Sequence, residues 1–344
     1  MAEMELDEWA EAFAAFHARF APHFFRAEAR ARSARYLRGL LGPVERKNGW
    51  QLAEAAGEGE PDGMQRLLHQ ARWDEEAVRD ELQRFVAERF SDPDGVLILD
   101  ETGFVKKGRK SVGVQRQYSG TSGKVDNCQV AVFLAYASRH GHVLVDRALY
   151  LPKAWAADPE RRAEAAVPAP VAFQTKPELG WALVERARAH GLTARWVVGD
   201  TVYGNDPVLR ARLETLAPIS HYVLGVAATA PTWTRPSGEP HTPLEGHTGR
   251  LLWTGGTAAA VVAALPEAAW QQLEVAEGTK GPRVYDWAAV RVALGEQGWP
   301  GSEHWLLARR SVSQPDEVAY SVSNAPPDTA LATLAQVAAR RWPI

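Results

Sequence analysis

Two short apolar runs in this chain each end in an aspartate: Val96-Leu97-Ile98-Leu99-Asp100 and Trp196-Val197-Val198-Gly199-Asp200. A continuous apolar run bounded by turn residues is the pattern of a strand covered on both faces. Pro93 and Gly95 precede the first run, and Gly103 and Gly204 follow the two aspartates. Each run therefore reads as a buried strand that delivers a carboxylate to its C-terminal edge. An ionised carboxylate at the end of a core strand needs a partner. Backbone donors of a turn or helix cap can supply it, and so can a cation. Two such carboxylates point to a hard divalent cation held by oxygen, as in phosphoryl-transfer sites.

Composition bounds what surrounds those strands. At 344 residues the chain has room for two to three units of about 100–200 residues. The longest apolar stretch, Ala258 to Leu265, is far too short to cross a bilayer. The acidic start, Met1 to Ala10, carries no signal-peptide pattern. Cys128 is the single cysteine, which excludes an internal disulfide and a thiolate zinc cluster and fits a reducing compartment. A net charge of −3 argues against a surface that coats nucleic acid everywhere, but it permits a local basic patch.

Along the chain, residues 1 to about 90 read as helical. One amphipathic pattern includes Phe13, Phe16, Phe20, Phe24 and Phe25, and another runs from Glu75 to Phe90. Between them Arg26, Arg30, Arg32, Arg35, Arg38, Arg46 and Lys47 make either a solvated face or a grip on phosphates. Residues 94 to about 150 read as an antiparallel meander, and 152–170 as a polar surface loop. Glu178 to His190 is a helix leading into the second aspartate strand, and Leu209 to Leu216 is another. From about 220 to 310 Gly, Pro, Thr and Trp are frequent, the texture of a β-rich insertion. Val318 to Ser323 resumes as a strand, and Asp328 is placed to cap a helix reaching Arg341. The order is mixed α/β.

Competing chemistries fit less well. A haloacid-dehalogenase-type phosphatase needs a second aspartate two positions after its nucleophile, where Thr102 stands. His140 and His142, with Asp146 nearby, lack a third ligand and read as an exposed hairpin. Ser119, Ser122 and Ser138 have no nucleophile elbow. Gly108-Arg109-Lys110-Ser111 is only part of a phosphate-binding loop, so ATP dependence is not expected.

Leu99-Asp100-Glu101-Thr102-Gly103-Phe104, then Lys106-Lys107-Gly108 and Tyr118-Ser119-Gly120-Thr121, resembles the first catalytic block of DDE transposases. More narrowly it resembles the IS701-type branch of the IS4-like group. Val198-Gly199-Asp200-Thr201-Val202-Tyr203-Gly204 resembles the second block of that family. Phe173 to Pro177 and Ala339-Arg340-Arg341-Trp342-Pro343-Ile344 also match its pattern. The resemblance implies an α/β protein with an RNase H-like catalytic core, an N-terminal helical domain and a β-rich insertion. Its parts would be residues 1–92, a helical DNA-binding domain; 93–219, the first part of the core; 220–312, the insertion; and 313–344, the final strand and helix.

The same resemblance implies a DNA transposase that cleaves and transfers strands at terminal inverted repeats. Asp100 and Asp200 would be catalytic and hold Mg²⁺ or Mn²⁺. Lys106, Lys107, Arg109, Lys110, Arg116, Lys124, Lys176, Tyr203 and Arg341 would contact DNA, and Trp233 or Trp253 would stack on an extruded base. The partners implied are transposon-end and target duplexes and a second copy in a synaptic complex, with no membrane, in the bacterial cytoplasm at the nucleoid. The third carboxylate of the family, a Glu, follows the motif that here ends the sequence at Ile344. The chain thus reads as a C-terminally truncated enzyme with impaired cleavage, or else as a non-catalytic DNA-binding remnant.

Overall fold

The computed structural model describes residues 2–216, 221–235, 253–278, 281–296 and 299–341, and the chain divides into two compact units, Met1–Phe85 and Val86–Ile344. In the first unit, α1 (Ala2–Phe20), α2 (Ala27–Leu41), α3 (Gly49–Ala55), α4 (Asp62–His69) and most of α5 (Glu75–Phe90) are helical. A short 3₁₀ turn at Ala21–His23, with Pro22 inside it, separates α1 from α2 and splits the phenylalanine pattern. Phe16, Phe20 and Phe24 turn inward with Ala29, Leu67 and Trp73, whereas Phe25 is exposed. The arginines of α2 are partly used within the unit. Arg32 and Arg35 pair with Glu58, Arg30 donates to the carbonyls of Ala21 and Phe24, and Arg38 lies over the Phe13 ring.

The second unit is built on a sheet of twelve strands among the described residues. They are β1 (Val96–Val105), β2 (Gln115–Ser119), β3 (Lys124–Ser138), β4 (Gly141–Leu149), β5 (Trp196–Gly199) and β6 (His221–Val226). Then come β7 (Pro231–Thr234), β8 (Thr254–Thr257), β9 (Gln271–Gly278), β10 (Gly281–Glu296), β11 (Trp299–Ser311) and β12 (Val318–Ser323). The helices are α6 (Lys153–Ala156), α7 (Pro159–Glu164), α8 (Lys176–Ala189), α9 (Thr201–Gly204), α10 (Pro207–Glu214), α11 (Ala258–Ala263) and α12 (Leu331–Ala339). The sheet runs β2-β3-β1-β5-β6-β12-β11-β10-β7-β8, with β4 beside β3 and β9 beside β10. β1, β5 and β6 are mutually parallel, and the other pairings are antiparallel. The strands read as an insertion, β7 to β11, are thus hydrogen-bonded into the same sheet through β12.

Both aspartate runs are buried on two faces, which explains their unbroken apolar character. On β1 Val96 and Ile98 join a core with Trp196, Val198, Val223, Leu307, Leu334 and Val337, the last two from α12. Leu97 and Leu99 point the other way and are fully buried, Leu99 beneath α8 at Gly180. Each such side chain contributes roughly 1.5–3 kcal/mol of burial, so neither face tolerates a polar residue before position 100.

Three expectations change. β1 continues to Val105, because its antiparallel ladder with β3 persists to the Val105–Cys128 pair; only its parallel ladder with β5 stops, at the Leu99–Gly199 pair. Asp100 therefore lies inside a strand, at the point where one neighbour ends. The 152–170 stretch is not a plain loop. It holds α6 and α7 and seats the fully buried Trp155, whose indole N–H donates to the Val114 carbonyl. Asp328 is not the cap of α12, which begins at Leu331 after Ala330; Asp328 lies in a preceding turn.

Candidate active site

One carboxylate oxygen each of Asp100, Glu101 and Asp200 lies within 4.8 Å of the other two. The arrangement follows from strand geometry. Successive side chains on β1 point to opposite faces, so Asp100 shares the α12 face with Ile98 and Glu101 shares the α8 face with Leu99. Asp200 closes β5 and caps α9, its Oδ1 accepting from the Val202 amide at 2.8 Å. That turn sits hard against β6. A Cβ on Gly204 would come within 1.9 Å of the Gly225 carbonyl oxygen, so only glycine fits there.

Each aspartate uses its two oxygens differently. Oδ1 of Asp100 accepts from the Glu101 amide at 2.9 Å, and Oδ1 of Asp200 from Val202. The Oδ2 atoms both face one guanidinium nitrogen of Arg341, at 3.6 Å from Asp100 and 3.9 Å from Asp200. These are ion-pair distances, longer than a good hydrogen bond. Arg341 Nε is buried and has no hydrogen-bond partner among the described residues. On the opposite face Lys176, the first residue of α8, bonds Glu101 Oε1 at 2.6 Å. Thr175 and Glu178 form a capping box that fixes this helix start. Three carboxylates thus face two cations, one supplied from each helical layer.

Two buried atoms of the cluster lack partners, Glu101 Oε2 and the Tyr203 hydroxyl. Burial, then the charges of Glu101, Asp200 and Asp100, push the Tyr203 pKa far above the ordinary tyrosine value. Tyr203 is therefore neutral beneath the carboxylates. Beside Asp200 and Arg341 lies a cavity of about 430 Å³ whose wall includes Arg309 and Trp287; the Trp287 indole N–H has no partner. Burial lowers the Arg309 pKa, and the nearby Arg341 charge acts in the same direction.

The other residues read from the sequence are dispersed. Lys107, Arg109 and Lys110 are exposed on the 106–114 loop with Lys106 half-buried at its start; Lys110 pairs with Glu164. Arg116 on β2 and Lys124 on β3 are exposed, the latter 4.0 Å from Asp126. Lys176 and Arg341 belong to the acidic cluster. Tyr203 is fully buried, so no phosphate reaches it as the chain is folded. Trp253 is also buried, with the Arg235 guanidinium 4.6 Å from its ring centroid, which leaves no open face for a base on that side. Trp233 is half-buried against Gly255. Asp146, grouped with His140 and His142 by spacing, is instead buried against Arg186 at 2.8 Å, and both histidines are exposed. Glu101 is the one carboxylate of this cluster that the sequence reading did not single out. It stands next to Asp100 in sequence, but strand parity sends it to the other face, where Lys176 at the start of α8 holds it near the aspartates.

A family model described as DDE superfamily endonuclease matches residues 19–282. A protein from Microchaete diplosiphon described as "Probable transposase for insertion sequence element IS701" is 30% identical over 170 residues, which cover 49% of this chain and 41% of that protein. The matched stretch therefore spans less than half of that relative's length. The NurA nuclease from Sulfolobus solfataricus aligns over 72% of this chain and 74% of its own, with 9% identity and a TM-score of 0.27, a distance at which the likeness carries no argument. No helix among the described residues is long and apolar enough to cross a membrane.

Proposed function

As the chain belongs to the DDE superfamily endonucleases, we propose that it is an insertion-sequence transposase that cuts and rejoins DNA at Asp100, Glu101 and Asp200. The observation that carries this reading is the convergence of those three carboxylates where β5 stops beside β1. An antiparallel β1–β3 pair with β5 parallel to β1 is consistent with an RNase H-like core. Among the described residues, Glu101 is the third carboxylate that lies with the two aspartates.

The donor set fits a hard divalent cation, Mg²⁺ or Mn²⁺, because all donors are carboxylate oxygens and the buried Glu101 Oε2 makes no hydrogen bond of good geometry among the described residues. Asp100, Glu101 and Asp200 would hold such an ion, which would supply Lewis-acid activation for an in-line displacement at phosphorus. The chain's own residues set the stage. Backbone amides hold Oδ1 of both aspartates, which fixes their Oδ2 atoms toward a shared position. Lys176 orients Glu101 from the side, and buried, neutral Tyr203 keeps water from beneath it. Lys106, Lys107, Arg109, Arg116 and Lys124 neutralise backbone phosphates, each contact releasing counterions. The N-terminal helices, with their arginine-rich α2, add DNA contacts, Trp233 is the remaining candidate for stacking on a base, and two copies pair the ends.

One observation favours a second reading, a DNA-binding protein that does not cut: the Arg341 guanidinium sits where both aspartates converge. Mg²⁺-dependent nicking of a terminal-repeat plasmid decides between them. The enzyme reading expects nicking that Asp100→Asn removes. Mn²⁺ binding without nicking by the wild type, or nicking that survives Asp100→Asn, would overturn it.

A further inference from the structure

The loop from Lys106 to Val114 carries its cations on a backbone that the rest of the unit holds in an unusual way. Asn127 Nδ2 donates to the carbonyls of Lys106 at 2.6 Å and Gly108 at 2.9 Å. Arg161 donates to those of Arg109 at 3.0 Å and Val114 at 3.1 Å, Gln129 to Val112 at 2.6 Å, and Gln117 to Gly113 at 3.3 Å. Trp155 also donates to Val114, at 2.8 Å, and the Ser111 carbonyl accepts from the Val114 amide at 3.1 Å. Only the carbonyls of Lys107 and Lys110 lack a donor among the described residues.

The amides are left the other way round. Lys106 N–H donates to Asn127 and Val114 N–H to Ser111, but the N–H groups from Lys107 through Gly113 have no acceptor among the described residues. Drawing carbonyls inward onto side-chain donors turns a peptide's positive end outward, and successive free amides form an anion-binding concavity. Gly113, at φ +77°, permits the turn that closes it; a Cβ there would meet the Tyr150 carbonyl at 2.8 Å.

The ties are rigid. Arg161 lies 3.7 Å from the centroid of the Trp155 ring, and Trp155 is fully buried. A hollow of about 390 Å³ beside the loop is lined by Lys107, Arg109, Arg116, Asn127 and Arg161. Lys110 pairs with Glu164 outside this hollow, and Arg109 and Arg161 also border a neighbouring hollow with Asp158, Glu160 and Glu164, which leaves Lys107 and Arg116 as its cations farthest from acid.

We propose that the 106–114 loop is a preformed clamp for nucleic-acid backbone phosphate, in which Asn127, Gln129 and Arg161 act as positioning residues. The loop begins six residues beyond Asp100 on one extended strand, about 20 Å away at 3.3 Å per residue. That is about six base pairs of duplex at 3.4 Å each. The clamp would fix the DNA path roughly half a helical turn from the carboxylates. This rests on the reading of the chain as a DNA-acting enzyme and adds to it that shape, as well as charge, holds the backbone.

A patch of charges and a clamp differ in one respect. Asn127→Ala and Gln129→Ala change no charge but release the loop carbonyls. Binding of a fluorescein-labelled DNA duplex is measured by anisotropy in EDTA across a salt series, so that no cleavage enters. The clamp predicts that each variant binds about five- to tenfold more weakly at fixed salt, the loss of one well-placed hydrogen-bonded contact. Their log–log salt slopes stay unchanged, whereas Lys107→Ala lowers the slope by about one. Thermal melting identifies a variant that has lost its fold, and the other variant then carries the test. Wild-type affinity in both neutral variants, with weakening only in Lys107→Ala, would overturn the clamp and leave the DNA reading standing. Failure of the wild type to bind duplex at all would overturn the DNA reading itself.

Discussion

Glu214, His304 and Tyr222 form one polar cluster of the larger unit, and Asp100, Glu101 and Asp200 with their two cations form another. In the first, one oxygen of Glu214 meets His304 Nε2 at 3.0 Å and the Tyr222 hydroxyl at 2.8 Å, while His304 Nδ1 meets the Ser302 carbonyl at 2.9 Å. Imidazole and phenol also stack, with centroids 6.1 Å apart. In the second, Arg341 bridges the aspartates at long range, and the buried Glu101 Oε2, Tyr203 Oη and Arg341 Nε make no hydrogen bond among the described residues. The first cluster is closed and joins α10, β6 and β11. The second is open, with acceptors directed at a position that no fixed hydrogen bond occupies. Buried polar groups are normally satisfied, so an unfinished set marks the place where a ligand is expected.

The largest effect that would sharpen this contrast is catalytic. Asp100→Asn or Asp200→Asn is expected to lower Mg²⁺-dependent nicking about a thousandfold or more, since several kcal/mol of charge stabilisation are lost. Melting should show the fold intact, because Asn keeps an Oδ1 that can accept from the Glu101 or Val202 amide and loses only the long Arg341 contact. The opposite pattern belongs to the closed cluster. His304→Ala should cost about 1 kcal/mol in chemical denaturation by removing one hydrogen bond from Glu214, which keeps the Tyr222 hydroxyl, while Mn²⁺ binding at the acidic site is retained. If His304→Ala were as stable as the wild type, the two clusters would not differ in the way described.

A smaller effect tests the looseness of Arg341. Its contacts are long and the adjoining cavity gives its side chain room to withdraw, so it competes with a cation for the same oxygens. Arg341→Ala should tighten Mn²⁺ binding about five- to tenfold, as read by electron paramagnetic resonance. Unchanged or weaker binding would mean that Arg341 organises the aspartates instead of competing for them.

The smallest effect is a pH dependence. Burial alone would raise the Glu214 pKa, but the hydrogen bonds from His304 and Tyr222 outweigh it and hold the carboxyl below the ordinary glutamate value. A folded pKa lowered in this way gives stability that is complete above the unfolded value, about 4.3, and lost as the pH falls through the lower folded value. The melting-temperature difference between wild type and Glu214→Gln should therefore be constant from neutral pH to about 5 and shrink in more acid solution. A difference that grew on acidification would contradict the assignment.

The two aspartate strands were legible because burial on both faces requires an unbroken apolar run, and an Asp at its end is conspicuous. The α8 helix was equally legible from its spacing, and β12 as a short β-branched and aromatic segment, Val318 to Ser323. The sequence placed Asp100 at a strand end, yet β1 runs on for five more residues, because a ladder depends on the neighbour's length: β3 continues where β5 stops. Trp155 inside an alanine- and proline-bearing stretch gave no periodicity, since two helices as short as α6 and α7 show less than two turns. Lys176, Tyr203 and Arg341 carried the right chemistry for a phosphate contact in a linear motif. Folding sends one to the start of α8, one under the carboxylates and one past the end of α12. Residue type and local period determined which groups could carry charge and which segments would be strands. Which charges meet was decided by tertiary structure, because Asp100, Lys176, Asp200 and Arg341 are distant in sequence and are brought to one point only by the parallel pairing of β1 with β5 and the helical layers on either face.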